Sequence, residues 1–119
     1  MSDLSHARAF ALSLPGTSEE PHFDMTSFRV NGRIFATAPA DETRLHIFVD
    51  ESEIAASVAE LPGACEPLLW GQRVRGLRVR LPAAPQERVA ELLEESWRRK
   101  APRSLVAELD ARRRDQLSE

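Results

Sequence analysis

The chain has no tyrosine, a single lysine and a single cysteine among its 119 residues. The lone thiol, Cys65, excludes an internal disulfide. With no histidine beside it in the sequence, it reads as a buried structural thiol rather than a nucleophile. Long apolar runs are also missing, and nothing approaches the ~18 residues that a membrane-spanning helix needs. The N-terminus shows no basic segment followed by an apolar one, so no secretory leader is read and the expected compartment is the cytoplasm. Aromatics make up only 6% of the chain. None is interleaved with the arginines as a base-stacking platform would be, so any nucleic-acid reading favours duplex backbone contact over single-strand binding. No recognisable set of nucleophile, base and metal ligands appears, which points away from an enzyme.

What is present is an ordinary globular composition, 42% hydrophobic and 29% charged, in one domain long enough to bury a core. The charge is split. Residues 1–66 hold 4 Arg against 11 Asp or Glu, whereas residues 67–119 hold 12 Lys or Arg against 8 Asp or Glu, so a basic half sits in a chain of net charge −3. Of the 16 basic residues all but Lys100 are arginine. Arg codons are GC-rich, so a GC-rich bacterial genome accounts for much of that abundance without any appeal to function.

Local patterning gives an α+β order. Leu4, Ala7, Ala11 and Leu14 repeat at helical spacing behind Asp3 or Ser2 as cap, and Pro15-Gly16 ends the helix. Residues 17–21 read as a polar loop. Strands are expected at His22–Val30, Arg33–Ala38 and Arg44–Val49, the first two joined at Asn31-Gly32, which suits a type I′ turn. In the second strand Ile34, Ala36 and Ala38 share one face and Phe35 takes the other. Asp50 and Glu53 have capping-box spacing before a helix with Ile54, Val58 and Leu61 on one stripe. Extended residues 64–70 and the strand Leu77–Leu81 flank a turn or bulge at 72–75, leaving Arg78 and Arg80 outward. Val89, Leu92, Leu93, Ser96 and Trp97 form the strongest helical stripe, and Pro102 opens a short last helix. The result is a single antiparallel sheet of about five strands with helices on one face. The domain spans 1–109, and residues 110–119 form a tail, either helix extension or disordered arm.

Leu14-Pro15-Gly16, the segment Phe28-Arg29-Val30-Asn31-Gly32-Arg33-Ile34-Phe35-Ala36, Leu92-Leu93-Glu94-Glu95-Ser96-Trp97 and Ala101-Pro102-Arg103-Ser104-Leu105 fall in order along residues 4–109. In this the chain resembles the MmcQ/YjbR family, described as DNA-binding proteins with a CyaY-like (frataxin-like) fold. The resemblance implies a twisted antiparallel sheet backed by N- and C-terminal helices, and a small bacterial DNA-binding protein. Members commonly carry an aromatic where this chain has Arg75-Gly76-Leu77, and Trp70 is the aromatic nearest in sequence. Frataxins are associated with an acidic first helix; residues 3–13 contain only Asp3, so an iron role is not carried over.

The candidate nucleic-acid-binding residues are Arg73, Arg75, Arg78 and Arg80, joined by Arg98, Arg99 and Lys100. Guanidinium groups pair bidentately with phosphate, and a basic hairpin presenting four of them would lie along a duplex, with counterion release supplying the affinity. The plainer reading is solvated arginine on an outer strand face, discouraging edge-to-edge association or pairing with Glu87, Glu91, Glu94 or Glu95. His22, Asp24 and His46 are the only conceivable metal set, too loosely spaced to claim, so no metal or cofactor is assigned. Glu19-Glu20 reads as solvated loop, and Trp70 and Trp97 as core. Double-stranded DNA is the first partner class. The alternative is a non-enzymatic binding module for a protein or small molecule on a concave sheet face. A monomer or weak dimer with no membrane partner is expected.

Overall fold

The computed structural model describes residues 2–117. Helix α1 (Leu4–Ser13) is capped by Asp3, whose carboxylate accepts from the His6 amide at 2.9 Å. Strands β1 (Thr17–His22), β2 (Met25–Val30), β3 (Arg33–Ala38) and β4 (Arg44–Ile47) follow as an antiparallel meander. Helix α2 (Glu51–Glu60) leads to the hairpin of β5 (Cys65–Trp70) and β6 (Arg73–Arg80), after which come a short 3₁₀ turn, α3 (Gln86–Lys100) and α4 (Arg103–Leu117). The sheet has six strands in the order β1-β2-β3-β4-β6-β5, all antiparallel. The expected five become six because residues 17–21 are a strand, not a loop. Their sequence, Thr-Ser-Glu-Glu-Pro, shows no apolar alternation because β1 is an edge strand whose inward Glu19 is satisfied by Arg8 at 2.8 Å and Thr26 at 2.8 Å.

One core cluster joins the helices to one sheet face. Phe28, Val30, Ala36, Leu45, Ile47, Leu77 and Val79 meet Leu92, Leu93 and Trp97 of α3, all fully buried. The expected α3 stripe is the buried face of that helix. The indole of Trp97 donates to the Pro15 carbonyl at 3.2 Å, fastening α3 to the end of α1. Asn31 and Gly32, at φ 53° and 77°, make the left-handed turn their sequence specifies.

Three local expectations are corrected. Pairing slips between Phe28 and Arg29, leaving Phe35 without a partner as a β-bulge. Phe35 therefore joins Ala36 in the core and Ile34 moves to the opposite face. Glu53 does not reach back to its own cap: Asp50 accepts from the Glu53 amide at 2.9 Å, but the Glu53 carboxylate takes Arg88 of α3 at 2.6 Å. Helix α4 is not short but runs 15 residues to Leu117, because its middle and second half are bound to α3, Asp110 by Arg98 and Arg113 by Glu94. Residues 118 and 119 of the expected tail lie outside the described residues. Among the described residues no helix is long and apolar enough to cross a membrane.

Candidate functional site

All four helices gather on the core side, so the other sheet face is open. Its pleat can be read row by row from the register. One row, Glu20, Ser27, Thr37, His46, Arg78 and Glu66, crosses all six strands and is polar throughout. Beside it, Ile34 and Leu68 flank the ring of Phe48. Gly76 makes that apolar patch possible, because a side chain there would meet the Ile47 carbonyl at 2.8 Å and the Phe48 ring at 3.1 Å. Met25, Ile34, Phe48, Leu68 and Trp70 thus line an open-face cavity of about 340 Å³, with His22, Thr37, His46 and Lys100 as its polar members. A second, more polar cavity of about 460 Å³ lies at the sheet end around Arg75, Arg99 and Lys100, with Asp50 and Glu51 across from them. The two cavities share Phe48, Trp70 and Lys100.

Trp70 is not a core residue. It is 64% exposed, at the end of an edge strand beside the hairpin turn, and the Arg75 guanidinium lies 5.4 Å from its ring centre. Arg75 faces this way because pairing slips between Leu68 and Leu69, leaving Arg75 as the extra residue of β6. Cys65 is buried, and burial pushes its thiol pKa upward.

The seven candidate cations separate into groups. Arg75, Arg99 and Lys100 converge around Trp70 and Phe48. Arg73 sits opposite Trp70 at the hairpin end and makes no hydrogen bond or ion pair with any described residue. Arg78 is paired with Glu66 at 3.1 Å, and Arg98 is taken by Glu94 at 2.9 Å and Asp110 at 2.8 Å on the helical side. Arg80 points outward further along the face, opposite Arg44. Arg33 was not singled out in the sequence, yet it belongs with the converging group: its guanidinium donates to the Lys100 carbonyl at 3.5 Å, as Arg99 does to the Phe48 carbonyl at 2.9 Å. Burial first, then the neighbouring charges of Arg33 and Arg99, lowers the Lys100 pKa. Among the described residues, no carboxylate lies within ion-pair distance of Arg33, Arg75, Arg99 or Lys100.

His22 and His46 line the same cavity, but Asp24 lies in the β1–β2 turn, and among the described residues no three His, Cys, Asp or Glu side chains group as metal ligands. His46 is held by Thr37 at 3.4 Å, and burial, reinforced by Arg78 and Arg44, lowers its pKa. Glu19 is no solvated loop residue, since its strand position turns it inward to Arg8.

An α+β protein with one antiparallel sheet, helices on one side and an open cationic face on the other is the class this geometry defines. The YjbR family model matches residues 12–99, and the chain belongs to the YjbR family. Among solved structures it is similar to the Deinococcus radiodurans protein DR2400, described by the domain name DUF419. The two share 24% identity over 82% of this chain and 77% of that one, with a TM-score of 0.70. That likeness is one of fold. No curated protein matches the chain.

Proposed function

We propose that this chain is a small, non-enzymatic DNA-binding protein whose phosphate contacts are made at the β5–β6 end of the open sheet face. One observation carries the reading: in a chain of net charge −3, Arg33, Arg75, Arg99 and Lys100 crowd one site with no carboxylate ion-paired to them among the described residues. Cations held together in partly desolvated surroundings repel one another, and a phosphate relieves that repulsion. Arg33 and Arg99 are already oriented by carbonyl oxygens, so little side-chain freedom remains to be lost on binding. Arg73 and Arg80 extend the positive strip along β6, with Arg78 between them paired to Glu66. The apolar cavity beside the cluster supports a second reading, a small-molecule ligand, because about 340 Å³ falls within the ~300–1,000 Å³ of such sites.

Fluorescence anisotropy of labelled DNA against salt tests the proposal. The logarithm of the binding constant is expected to fall with the logarithm of salt concentration by roughly 0.9 per duplex phosphate contacted. The double substitution Arg75→Ala, Lys100→Ala removes most of the affinity. Arg112→Ala, on an α4 guanidinium paired with Glu108 at 2.7 Å, leaves it unchanged. Absence of binding to either single- or double-stranded DNA at ~50 mM salt, where phosphate-driven association is strong, overturns the proposal.

A further inference from the structure

The two cavities differ in chemistry and adjoin, with Phe48, Trp70 and Lys100 lining both. The open-face cavity is floored by Met25, Ile34, Phe48 and Leu68, and the other is ringed by Arg75, Arg99 and Lys100, with Trp70 at the border of both. A ligand that fits the pair has a flat apolar-faced ring at one end and an anion at the other. Duplex DNA does not present that combination, because its base faces are stacked inside the helix and only phosphates and groove edges reach a protein surface. An unpaired nucleotide presents both parts at once.

We propose that the adjoining cavities take one unpaired nucleotide, with its base against Trp70 and Phe48 and its phosphate against Arg75, Arg99 and Lys100. This rests on the DNA-binding reading above and narrows its substrate to unpaired strands. Trp70 is already exposed and braced from one side by Arg75, so it offers a face for stacking without any rearrangement of the core. Thr37 and His46 supply hydroxyl and imidazole groups at the cavity floor for the base edge, and His22 stands at the far wall. Asp50 and Glu51 face the phosphate end. The Asp50 carboxylate already accepts from the Glu53 amide at 2.9 Å and the Ser52 hydroxyl at 2.8 Å; it feels the charge of Arg99 but forms no ion pair with it.

The experiment compares a short oligothymidylate, a mixed-sequence duplex and thymidine monophosphate on the full chain, by anisotropy or competition and by tryptophan emission. Trp97 is fully buried, so a ligand-dependent quench reports Trp70. The single strand is expected to bind about tenfold or more tightly than the duplex at equal salt and to quench Trp70. Trp70→Ala is expected to weaken single-strand binding by about tenfold while leaving duplex binding within about twofold. Because Trp70 is exposed, that variant folds; Trp70→Phe, which keeps a stacking face, recovers most of the loss. Equal affinity for both DNA forms, with no quench and no effect of Trp70→Ala, overturns this inference and leaves the phosphate-binding proposal standing. Saturable quenching by thymidine monophosphate with no binding of either DNA form supports the nucleotide site, assigns it to a free nucleotide and overturns the DNA-binding proposal. No binding of any of the three overturns both.

Discussion

At the scale of single residues, the open face depends on groups behind it. Ser96 is fully buried, and its hydroxyl lies 2.6 Å from the Phe35 carbonyl and 2.9 Å from the Phe48 carbonyl. Its single proton serves one of these carbonyls at a time; the Phe35 oxygen also accepts from the Phe48 amide at 3.4 Å, and the Phe48 oxygen from Arg99 at 2.9 Å. Ser96→Ala removes this buried donor while each carbonyl keeps its other one, and urea denaturation is expected to show a loss of about 1 kcal/mol. An alanine in place of Ser104, exposed on α4, is the control expected within about 0.5 kcal/mol of the native chain. Single residues also mark the limit of what the sequence can say. Trp70 and Trp97 look alike in composition, yet one is exposed and the other is the largest fully buried side chain. Helical periodicity places Trp97 inside; nothing comparable constrains Trp70, whose position follows from a bulge and a hairpin end. Phe35 was misplaced for the same reason, since strict alternation fails wherever a strand carries an extra residue.

Among the elements, the ties between helices are ionic as well as apolar. Glu94 of α3 accepts from Arg98 of its own helix at 2.9 Å and from Arg113 of α4 at 2.8 Å. The Arg113 hydrogen bond, with Arg98 adding to it, holds the Glu94 carboxyl below its ordinary value of 4.5. A carboxylate with a lowered pKa in the folded state contributes stability that is full above the ordinary value and fades as pH falls through the folded one. Glu94→Gln is therefore expected to cost about 1–2 kcal/mol at neutral pH and to flatten the loss of stability below about pH 4.5. Denaturation midpoints of the two proteins should converge in acid. The amphipathic elements were legible: the α3 stripe, the Asn31-Gly32 hairpin and the alternation of Leu77 and Val79 each state their own burial. Strand β1 was not, because an edge strand that turns a half-buried Glu–Arg pair inward in place of apolar side chains has no period to read.

For the molecule as a whole, the charge map matters more than its sum. By register the open face carries Arg29, Arg44, Arg78 and Arg80 against Glu20 and Glu66, before the cluster at its end is added. The sequence showed that the second half is basic; only the fold shows that part of it, Arg98 and Arg113, is consumed in joining helices. It also brings Arg33, from the acidic half, to Lys100 across 67 positions of chain. Such asymmetry steers an anionic partner to one side. Reversing Lys100 and Arg75 to glutamate is expected to slow association with DNA about tenfold or more at low salt in stopped-flow mixing, with the difference shrinking as salt rises. Arg112→Glu, on the helical side, leaves the rate little changed.

The carbonyl of Phe48 joins these scales. It accepts from Arg99 and lies 2.9 Å from the Ser96 hydroxyl, both on α3, while the ring of the same residue floors the cavity and the next residue of that helix, Lys100, edges it. The floor and the Arg99–Lys100 part of the rim are thus bolted to one rod. A visitor meets a receptacle whose shape is already set. Capture should follow simple one-step kinetics, with the observed rate rising in proportion to ligand concentration and never levelling off toward an internal rearrangement.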